Sequence, residues 1–356
     1  MRGGRMERRK EINGRLVRWI AEKVEREYAK DISLVLIYGS YVNGTANSRS
    51  DVDCCFIPKT ERGYEMAAGF ILEGVGYDVF PMSWERVERI ACLQETLTPL
   101  VGDVEIIFCN SAEDMVRFRG MQEKLQCCLA DGAYVREIAE ERCREAGRLC
   151  GMLEHVRTET EAWKLAGMVI MTLADAVAVF HHEYFHFGLK RQFEDLIKMQ
   201  EVPEEIVEGY RNVVKAASGD EAAACARKML ADVCRHLGVA VPVQAAVEDA
   251  KSGGGAIDGM QLAGLYEEIS STFNKIYVCC EAGNAVLAFL SAVCLQRELD
   301  EVGEYDLLEA FDHRALGRLA EAARKIEAEF VGLIEENGGR IRRYGSFEEF
   351  AVHEGC

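Results

Sequence analysis

The stretch from Leu34 to Pro58, which reads LVLIYGSYVNGTANSRSDVDCCFIP, constrains the fold of this chain more than any other. Five apolar residues, 34–38, end at the pair Gly39-Ser40, and a second apolar run begins after Asp51. The segment between them is polar and rich in turn-forming residues. Short apolar runs with such boundaries are typical of buried strands. The stretch therefore predicts a strand, a short helix or loop, and a second strand.

Two carboxylates, Asp51 and Asp53, stand at the entrance to the second predicted strand. Residues i and i+2 of a strand point to the same face, so both acids project together while Val52 turns toward the core. Neighbouring carboxylates repel each other unless a cation lies between them. Ligand sets made only of oxygen favour Mg²⁺ or Mn²⁺ over zinc. The pair therefore predicts a site for a divalent metal ion.

The pair Gly39-Ser40 follows the first predicted strand directly. A glycine at this place lets the backbone approach a ligand closely. Free backbone N–H groups at the start of a following helix attract anions, and the hydroxyl of Ser40 can extend such a site. We expect a triphosphate to bind here, with its charge shared between backbone amides and metal ions.

The spacing of these two motifs resembles the signature of the nucleotidyltransferase superfamily, whose catalytic fold is that of DNA polymerase β. The pair Gly39-Ser40 is followed by ten residues and then by Asp51-Val52-Asp53 between apolar residues. The resemblance covers roughly residues 30–115. It implies that Gly39-Ser40 holds the nucleotide phosphates and that the two acids hold two Mg²⁺ ions.

The resemblance also implies a third acid on a later strand. The segment 76–82, GYDVFPM, offers Asp78 in the middle of a predicted strand. Glu105, at the entrance of the last predicted strand, 104–108, is the rival. We prefer Asp78 because it comes earlier in the chain and lies within its strand rather than at the edge.

The reaction implied by the resemblance is the transfer of a nucleoside monophosphate from an NTP, with ATP expected, to a hydroxyl group. Asp51, Asp53 and Asp78 are the expected ligands of two Mg²⁺ ions, with Mn²⁺ as an alternative. Asp78 either completes the ligand set or acts as the general base. Pyrophosphate is the expected second product.

The charge balance narrows the class of acceptor. Lys and Arg number 42 against 60 Asp and Glu, a net charge of −18, which repels nucleic-acid backbones and suits a cationic small molecule. By resemblance, the nearest group is the aminoglycoside and lincosamide nucleotidyltransferases. Two alternatives stay open: an enzyme that adenylylates a protein hydroxyl, as regulators and antitoxins do, and a non-catalytic regulatory module with a vestigial site.

The cysteines and the apolar segments bear on localisation. The chain has 14 cysteines but no C-x-x-C pair, and its first fifteen residues hold no apolar signal core. The longest apolar stretches, Leu165 to Phe180 and Ala282 to Cys294, are too short or too interrupted to cross a bilayer. We expect reduced thiols in a cytoplasmic protein without membrane spans.

The predicted architecture is α+β. A small N-terminal domain with a mixed sheet, residues 1–111, is followed by a helical domain, 112–250, and a C-terminal helical segment, 256–356, which can pack with the preceding domain as one bundle. Residues 252–255 are interpreted as a linker or exposed loop. Within the first domain we expect a helix over 7–30, a short helix over 64–72, and a helix over 84–93 capped by Ser83. Beyond it we expect helices over 134–155, 159–187, 220–237, 261–299 and 312–336.

Three further motifs lie in the helical region. His182-Glu183-Tyr184-Phe185-His186 fits H-E-x-x-H, but the motif is short and has no evident third ligand, so zinc is not favoured. Gly188-Leu189-Lys190 resembles a helix end that borders the active-site cleft in antibiotic-modifying nucleotidyltransferases. This makes Lys190 a candidate phosphate contact; the alternative is a solvated lysine at a helix terminus. The polar group at 266–268 either lines a substrate pocket or forms the water-facing side of a helix, and we favour the water-facing side.

Overall fold

A mixed sheet of six strands forms the centre of the first part of the protein. The structure is a computed structural model that describes residues 2–242 and 258–355, so the predicted loop at 252–255 lies outside the described residues. The strands are β1 Ile32–Tyr38, β2 Asp53–Pro58, β3 Ala68–Leu72, β4 Val75–Pro81, β5 Glu105–Cys109 and β6 Arg343–Tyr344.

The order of the strands across the sheet is β5-β1-β2-β4-β3-β6. β1 is antiparallel to both of its neighbours, β2 and β5. β2 and β4 run parallel, β3 and β4 form an antiparallel pair, and β6 is parallel to β3. The sheet is therefore mixed, as predicted.

Helices make up most of the remaining structure. Helix accounts for 65% of the protein, which confirms the α+β class and the large helical region. The helices are α1 Arg2–Lys23, α2 Gly39–Val42, α3 Trp84–Ala91, α4 Pro99–Gly102, α5 Ala112–Ala130, α6 Gly132–Met152, α7 Glu159–Phe180, α8 Gln192–Lys198, α9 Glu204–Lys215, α10 Gly219–Leu237, α11 Gly259–Ala282, α12 Ala285–Leu299, α13 Leu316–Glu336 and α14 Phe347–His353. A π-helical turn, Val24–Tyr28, extends α1, and short 3₁₀ turns occupy Glu61–Met66, Gly188–Lys190 and Leu308–Ala310.

Helix α1 covers one face of the sheet. Its apolar stripe, Ile12, Leu16, Ile20 and Val24, is buried in one cluster with side chains of β1, β2, β3 and β4. The stripe repeats every fourth residue, which places it on one side of a helix. This burial explains why the helix predicted over 7–30 is present, with shifted ends, as α1 Arg2–Lys23 and its π-helical extension Val24–Tyr28. The opposite face of the sheet carries Asp53, Gly76 and Asp78, and is called the acid face below.

The short helix predicted over 64–72 is wrong. The chain forms a 3₁₀ turn at Glu61–Met66 and then the strand β3. β3 pairs with β4 across Glu73 and Gly74, whose φ angles of 47° and 74° belong to the left-handed region. Two successive residues of this kind are typical of a tight hairpin. Pairing with β4 therefore stabilises a strand here in place of the helix that the local pattern predicts. The local pattern does not indicate that a partner strand follows.

Other predicted helices are present with shifted ends. Ser83 caps α3 by accepting a hydrogen bond from the backbone N–H of Arg86 at 3.2 Å, as expected. The helix predicted over 159–187 ends at Phe180, and the one over 261–299 is broken into α11 and α12 at Gly283-Asn284. Asn284 caps α12, because its side chain accepts from the N–H of Leu287. The short elements α8, α9, β6 and α14 were not predicted.

Contacts divide the described structure into two units. Among the described residues, the first comprises those up to 127 together with 258–274 and 331–355, and the second comprises 128–242 and 275–330. The sheet unit thus includes parts of the chain that the sequence analysis assigned to a C-terminal helical segment. The predicted domain boundaries at 111 and 250 stay a prediction.

The second unit is helical, and α7 lies at its centre. Most of α7 is buried against α6, α9, α10 and α12, and Trp163 packs edge-on to Phe289 with ring centroids 5.6 Å apart. By length and composition, α7 is the single helix among the described residues that could cross a membrane. However, 72% of its most apolar 18-residue stretch is buried inside the protein. Its apolar character is therefore accounted for by the core of the unit.

The first half of α11 packs on the acid face of the sheet. A side chain at Gly76 would overlap Ser270, so this glycine lets the helix approach β4 closely. Glu267 is only 2% exposed. Its carboxylate accepts hydrogen bonds from the backbone N–H of Arg342 at 2.6 Å and from the guanidinium at 3.1 and 3.2 Å. The interpretation of 266–268 as water-facing is therefore wrong for Tyr266 and Glu267, because sheet and C-terminal segment cover that side.

Removal of the Arg342 side chain should destabilise the sheet unit in a pH-dependent way. Burial already raises the pKa of Glu267, and Arg342 opposes this. In Arg342→Ala the carboxyl becomes harder to ionise in the folded than in the unfolded protein, so stability should fall as the pH rises above about 4.3. Urea unfolding should show a loss of about 1.5–3 kcal/mol at pH 7.5 and a smaller loss at pH 5.

Arg340→Ala is the matched control, because Arg340 is exposed and lies two residues away. It removes the same charge and should change the free energy of unfolding little at either pH. Equal losses in the two variants would contradict the role assigned to the Glu267–Arg342 pair.

Candidate active site

Two of the three predicted acids lie side by side on neighbouring strands. Asp53 is the first residue of β2, and Asp78 lies in the middle of β4. The parallel register pairs Cys54 with Val79, so Asp53 and Asp78 occupy the preceding matched positions. Because Cys54 and Val79 are buried in the core on the α1 side, the two acids point to the opposite, acid face.

Asp51 lies just before β2, and its charge acts on Asp78. Burial above all, and then the negative charges of Glu268 and Asp51, raise the pKa of Asp78 to about 7. Each effect disfavours an ionised carboxylate at this place. The site therefore concentrates negative charge in partly buried surroundings, which a cation or a proton would stabilise.

Gly39 has a steric role next to these acids. It follows Tyr38, whose partner across the antiparallel β1–β2 ladder is Asp53. Gly39 has a φ of 72°, and a Cβ at this position would overlap the Oδ2 of Asp53. Only glycine accommodates both the backbone conformation and the approach of the carboxylate. Ser40 follows in the single helical turn α2 and is partly exposed.

The sheet order separates the two rivals for the third acid. β4 lies directly beside β2, whereas β5 lies on the far side of β1. Glu105 is exposed and is opposite Ile37 on β1. Asp78 is therefore the acid that the fold brings next to Asp53, and Glu105 is not.

The donor chemistry fits a hard divalent cation, since Asp51, Asp53 and Asp78 all offer carboxylate oxygens. Within residues 2–242 and 258–355, however, no three His, Cys, Asp or Glu side chains come together as a ready metal-binding group. The structure thus supplies adjacent oxygen donors of the right type. The ligand set Asp51, Asp53 and Asp78 stays a prediction.

The H-E-x-x-H motif does not form the geometry that zinc requires. α7 ends at Phe180, and His182 has a φ of 61°, so His182 and His186 do not lie one turn apart on a helix. The Nδ1 of His182 lies 2.5 Å from the carbonyl oxygen of Leu129. The motif therefore gives no support for a zinc site of the H-E-x-x-H type.

Lys190 belongs to the second unit, at the end of the 3₁₀ turn Gly188–Lys190. Burial raises the pKa of the Cys279 thiol to about 11, and the charge of Lys190 partly opposes this increase. A role for Lys190 as a phosphate contact stays a prediction.

Sequence reasoning did not place one residue of this site and overlooked another. Glu268 is exposed on α11, in line with the favoured water-facing interpretation, and its charge acts on Asp78; the helical pattern did not indicate which element lay opposite. Asn13 is fully buried on α1 and donates to the carbonyl oxygens of Ser50 and Asp51 at 3.1 and 3.2 Å. One polar residue beside an apolar stripe gives a weak signal in a single sequence.

The comparisons with known proteins agree with this geometry. Residues 17–127 match the family model described as Nucleotidyltransferase domain, which spans β1 to β5 and the three predicted acids. The match supports the nucleotidyltransferase superfamily for this part of the chain, and with it a transferase that uses an NTP. No curated protein matches the chain.

The substitution Gly39→Ala should lower the free energy of unfolding by far more than its backbone strain alone would. Gly44 provides a matched control, because it has the same φ of 72° and a methyl group added there would have no atom within 4 Å. Gly44→Ala should cost about 1–2 kcal/mol of stability from the left-handed conformation. Gly39→Ala should cost more, since Asp53 must also move.

Urea unfolding of both variants measures the difference. A similar loss in Gly39→Ala and Gly44→Ala would show that Asp53 does not need the space that Gly39 leaves.

Proposed function

We propose that this protein is a Mg²⁺-dependent nucleotidyltransferase that moves a nucleoside monophosphate from an NTP to a hydroxyl of a small molecule. The observation that carries the proposal is the arrangement around β2. Asp53 and Asp78 lie on adjacent strands, and Asp53 lies directly beside Gly39, a position where any side chain would collide with it. This arrangement lies within the segment that matches the nucleotidyltransferase domain.

The roles proposed for the residues follow from the motifs to which they belong. Asp51, Asp53 and Asp78 would hold Mg²⁺, and Gly39-Ser40 would bind the triphosphate, with Lys190 as a further phosphate contact. Bound Mg²⁺ supplies charge neutralisation at the phosphates and lowers the pKa of the acceptor hydroxyl. Asp78 either completes the ligand set or accepts the hydroxyl proton. The acceptor oxygen attacks the α-phosphorus in line, and pyrophosphate leaves.

The charges of the protein favour a cationic acceptor. The net charge is −18, and the exposed Glu268 adds a negative charge close to Asp78. We therefore propose an aminoglycoside-like or lincosamide-like compound as the acceptor. ATP is the proposed nucleotide, and the cytoplasm, expected from the reduced thiols, is the proposed compartment. Transfer to a protein hydroxyl is the competing proposal, and a non-catalytic module is the third.

Thermal unfolding with each NTP, with and without Mg²⁺, tests the nucleotide site. A ligand at a hundred times its dissociation constant stabilises the folded state by about 2.7 kcal/mol. The wild type should show a Mg²⁺-dependent increase in Tm. Asp53→Asn and Asp78→Asn should lose it, because each removes a charged oxygen donor.

Glu105→Gln is the control for Asp78→Asn, since both replace an acid by its amide on strands of the same sheet. It should keep the full Mg²⁺-dependent shift. A shift that survives in Asp53→Asn would contradict the assignment of that residue. The absence of any shift in the wild type would favour the non-catalytic module.

A pyrophosphate-release assay then distinguishes the acceptors. Release that depends on an added aminoglycoside or lincosamide supports the small-molecule proposal. Labelling of a protein with the nucleotide, and no release with small hydroxyl compounds, would favour the adenylylating alternative.

A further inference from the structure

A buried polar network connects helix α1 with both acid-bearing segments from the far side of the sheet. Its centre is Asn13, which is 0% exposed. The side-chain amide of Asn13 donates to the carbonyl oxygens of Ser50 and Asp51, at 3.1 and 3.2 Å. Its Oδ1 accepts a hydrogen bond of 2.6 Å from the hydroxyl of Tyr77, the residue before Asp78.

Arg9 determines the direction of these hydrogen bonds. Its Nη1 donates to the Tyr77 hydroxyl oxygen at 2.9 Å. A guanidinium group has no acceptor, so the Tyr77 oxygen must accept from Arg9, and its proton is free to point to Asn13. The Oδ1 of Asn13 then faces Tyr77, and both amide hydrogens face the carbonyl groups of residues 50 and 51. The network therefore has one consistent orientation.

Arg9 is itself held in place by backbone carbonyls. Its guanidinium donates to the oxygens of Glu73 at 3.1 Å, Ser48 at 3.4 Å and Leu72 at 3.5 Å. The side chain is 7% exposed. These contacts join the start of α1 to the β3–β4 turn and to the segment that leads into Asp51.

Packing alone does not explain a polar group at this place. Asn13 lies next to the apolar stripe of α1, where Ile12 and Leu16 are buried. Asn is a poorer helix former than Leu, and a buried amide costs free energy unless every polar atom is satisfied. An apolar residue would serve the core, but it would leave the carbonyl groups of Ser50 and Asp51 without their partner.

We propose that Asn13 is a positioning residue that holds the backbone of Asp51 at a set distance from Asp78. Asn13 contacts the carbonyl of Asp51 directly and reaches β4 through Tyr77, so one side chain spans both acid-bearing segments. The carboxylates of Asp53 and Asp78 project to the acid face, on the other side of the sheet from Asn13. This inference rests on the proposed function, because it assumes that the acids bind a metal ion.

Binding of Mn²⁺ in the presence of ATP, measured by electron paramagnetic resonance of the free ion, gives a readout that does not depend on turnover. Asn13→Leu keeps the number and branching of the side-chain heavy atoms and removes both amide donors and the Oδ1 acceptor. Its dissociation constant for Mn²⁺ should rise about 10- to 100-fold, as is usual when a partner of a metal ligand is removed. Tyr77→Phe, which removes only the hydroxyl, should give a smaller rise in the same direction.

Tyr210→Phe provides the matched control. Tyr210 is also 0% exposed, and its hydroxyl donates to the side-chain oxygen of Gln192 at 2.9 Å in the other unit. It loses the same type of buried hydrogen bond as Tyr77→Phe, and it should keep the wild-type affinity for Mn²⁺. The double variant Asn13→Leu/Tyr77→Phe should bind Mn²⁺ about as weakly as Asn13→Leu alone, since both changes break one network.

Amide hydrogen exchange supplies a second measurement on the same proteins. Residues 48–53 should exchange faster in Asn13→Leu than in the wild type and in Tyr210→Phe. Wild-type Mn²⁺ affinity and unchanged exchange in Asn13→Leu would overturn the inference while leaving the proposed function intact. A wild type that binds no Mn²⁺ with ATP would overturn the proposed function, and with it the positioning role.

Discussion

The register between the parallel strands β2 and β4 is the constraint on which the site depends. It sets Cys54 beside Val79, and therefore sets Asp53 beside Asp78 with both side chains on the acid face. A shift of either strand by one residue would turn its acid toward the core against α1 and turn its core residue, Cys54 or Val79, to the acid face. The packing of Cys54 and Val79 against α1 fixes this register. It therefore also fixes the positions of the two carboxylates on the other face.

Acids that lie together on one buried face are harder to ionise. Burial and like charges raise the free-energy cost of ionising Asp78, whereas Arg342 lowers this cost for Glu267. Burial and the charges of Glu268 and Asp51 raise the pKa of Asp78 to about 7. Glu267 is buried, whereas Glu268 beside it is exposed. The carboxylate of Glu267 accepts hydrogen bonds from the backbone N–H and the guanidinium of Arg342 in the C-terminal segment. The two adjacent glutamates of α11 therefore have different environments, and only Glu268 adds a negative charge that acts on Asp78.

Much of the site could be predicted because its parts are close in the chain. Gly39, Ser40, Asp51 and Asp53 fall within fifteen residues, and the apolar runs around them indicate strands without any partner. Asp78 was preferred to Glu105 because of its position within a strand, and the sheet order places it next to β2. By contrast, the local pattern of β3 predicts a helix. The segment is a strand because its hairpin with β4 stabilises it more than a helix would. The two-residue strand β6 carries no periodic signal at all.

Local sequence patterns were enough to predict β1, β2, β4 and β5, most of the helices, and the residue types that can carry charge and approach a phosphate. These follow from local patterns of two to four residues, which fix where each side chain points relative to its own backbone. The tertiary structure decided which elements meet. It brought Asn13 of α1 against Asp51, placed Glu268 of α11 near Asp78 and buried Glu267, because such contacts join residues tens to hundreds of positions apart. No local pattern contains the energy of a contact whose partner is that distant in the chain.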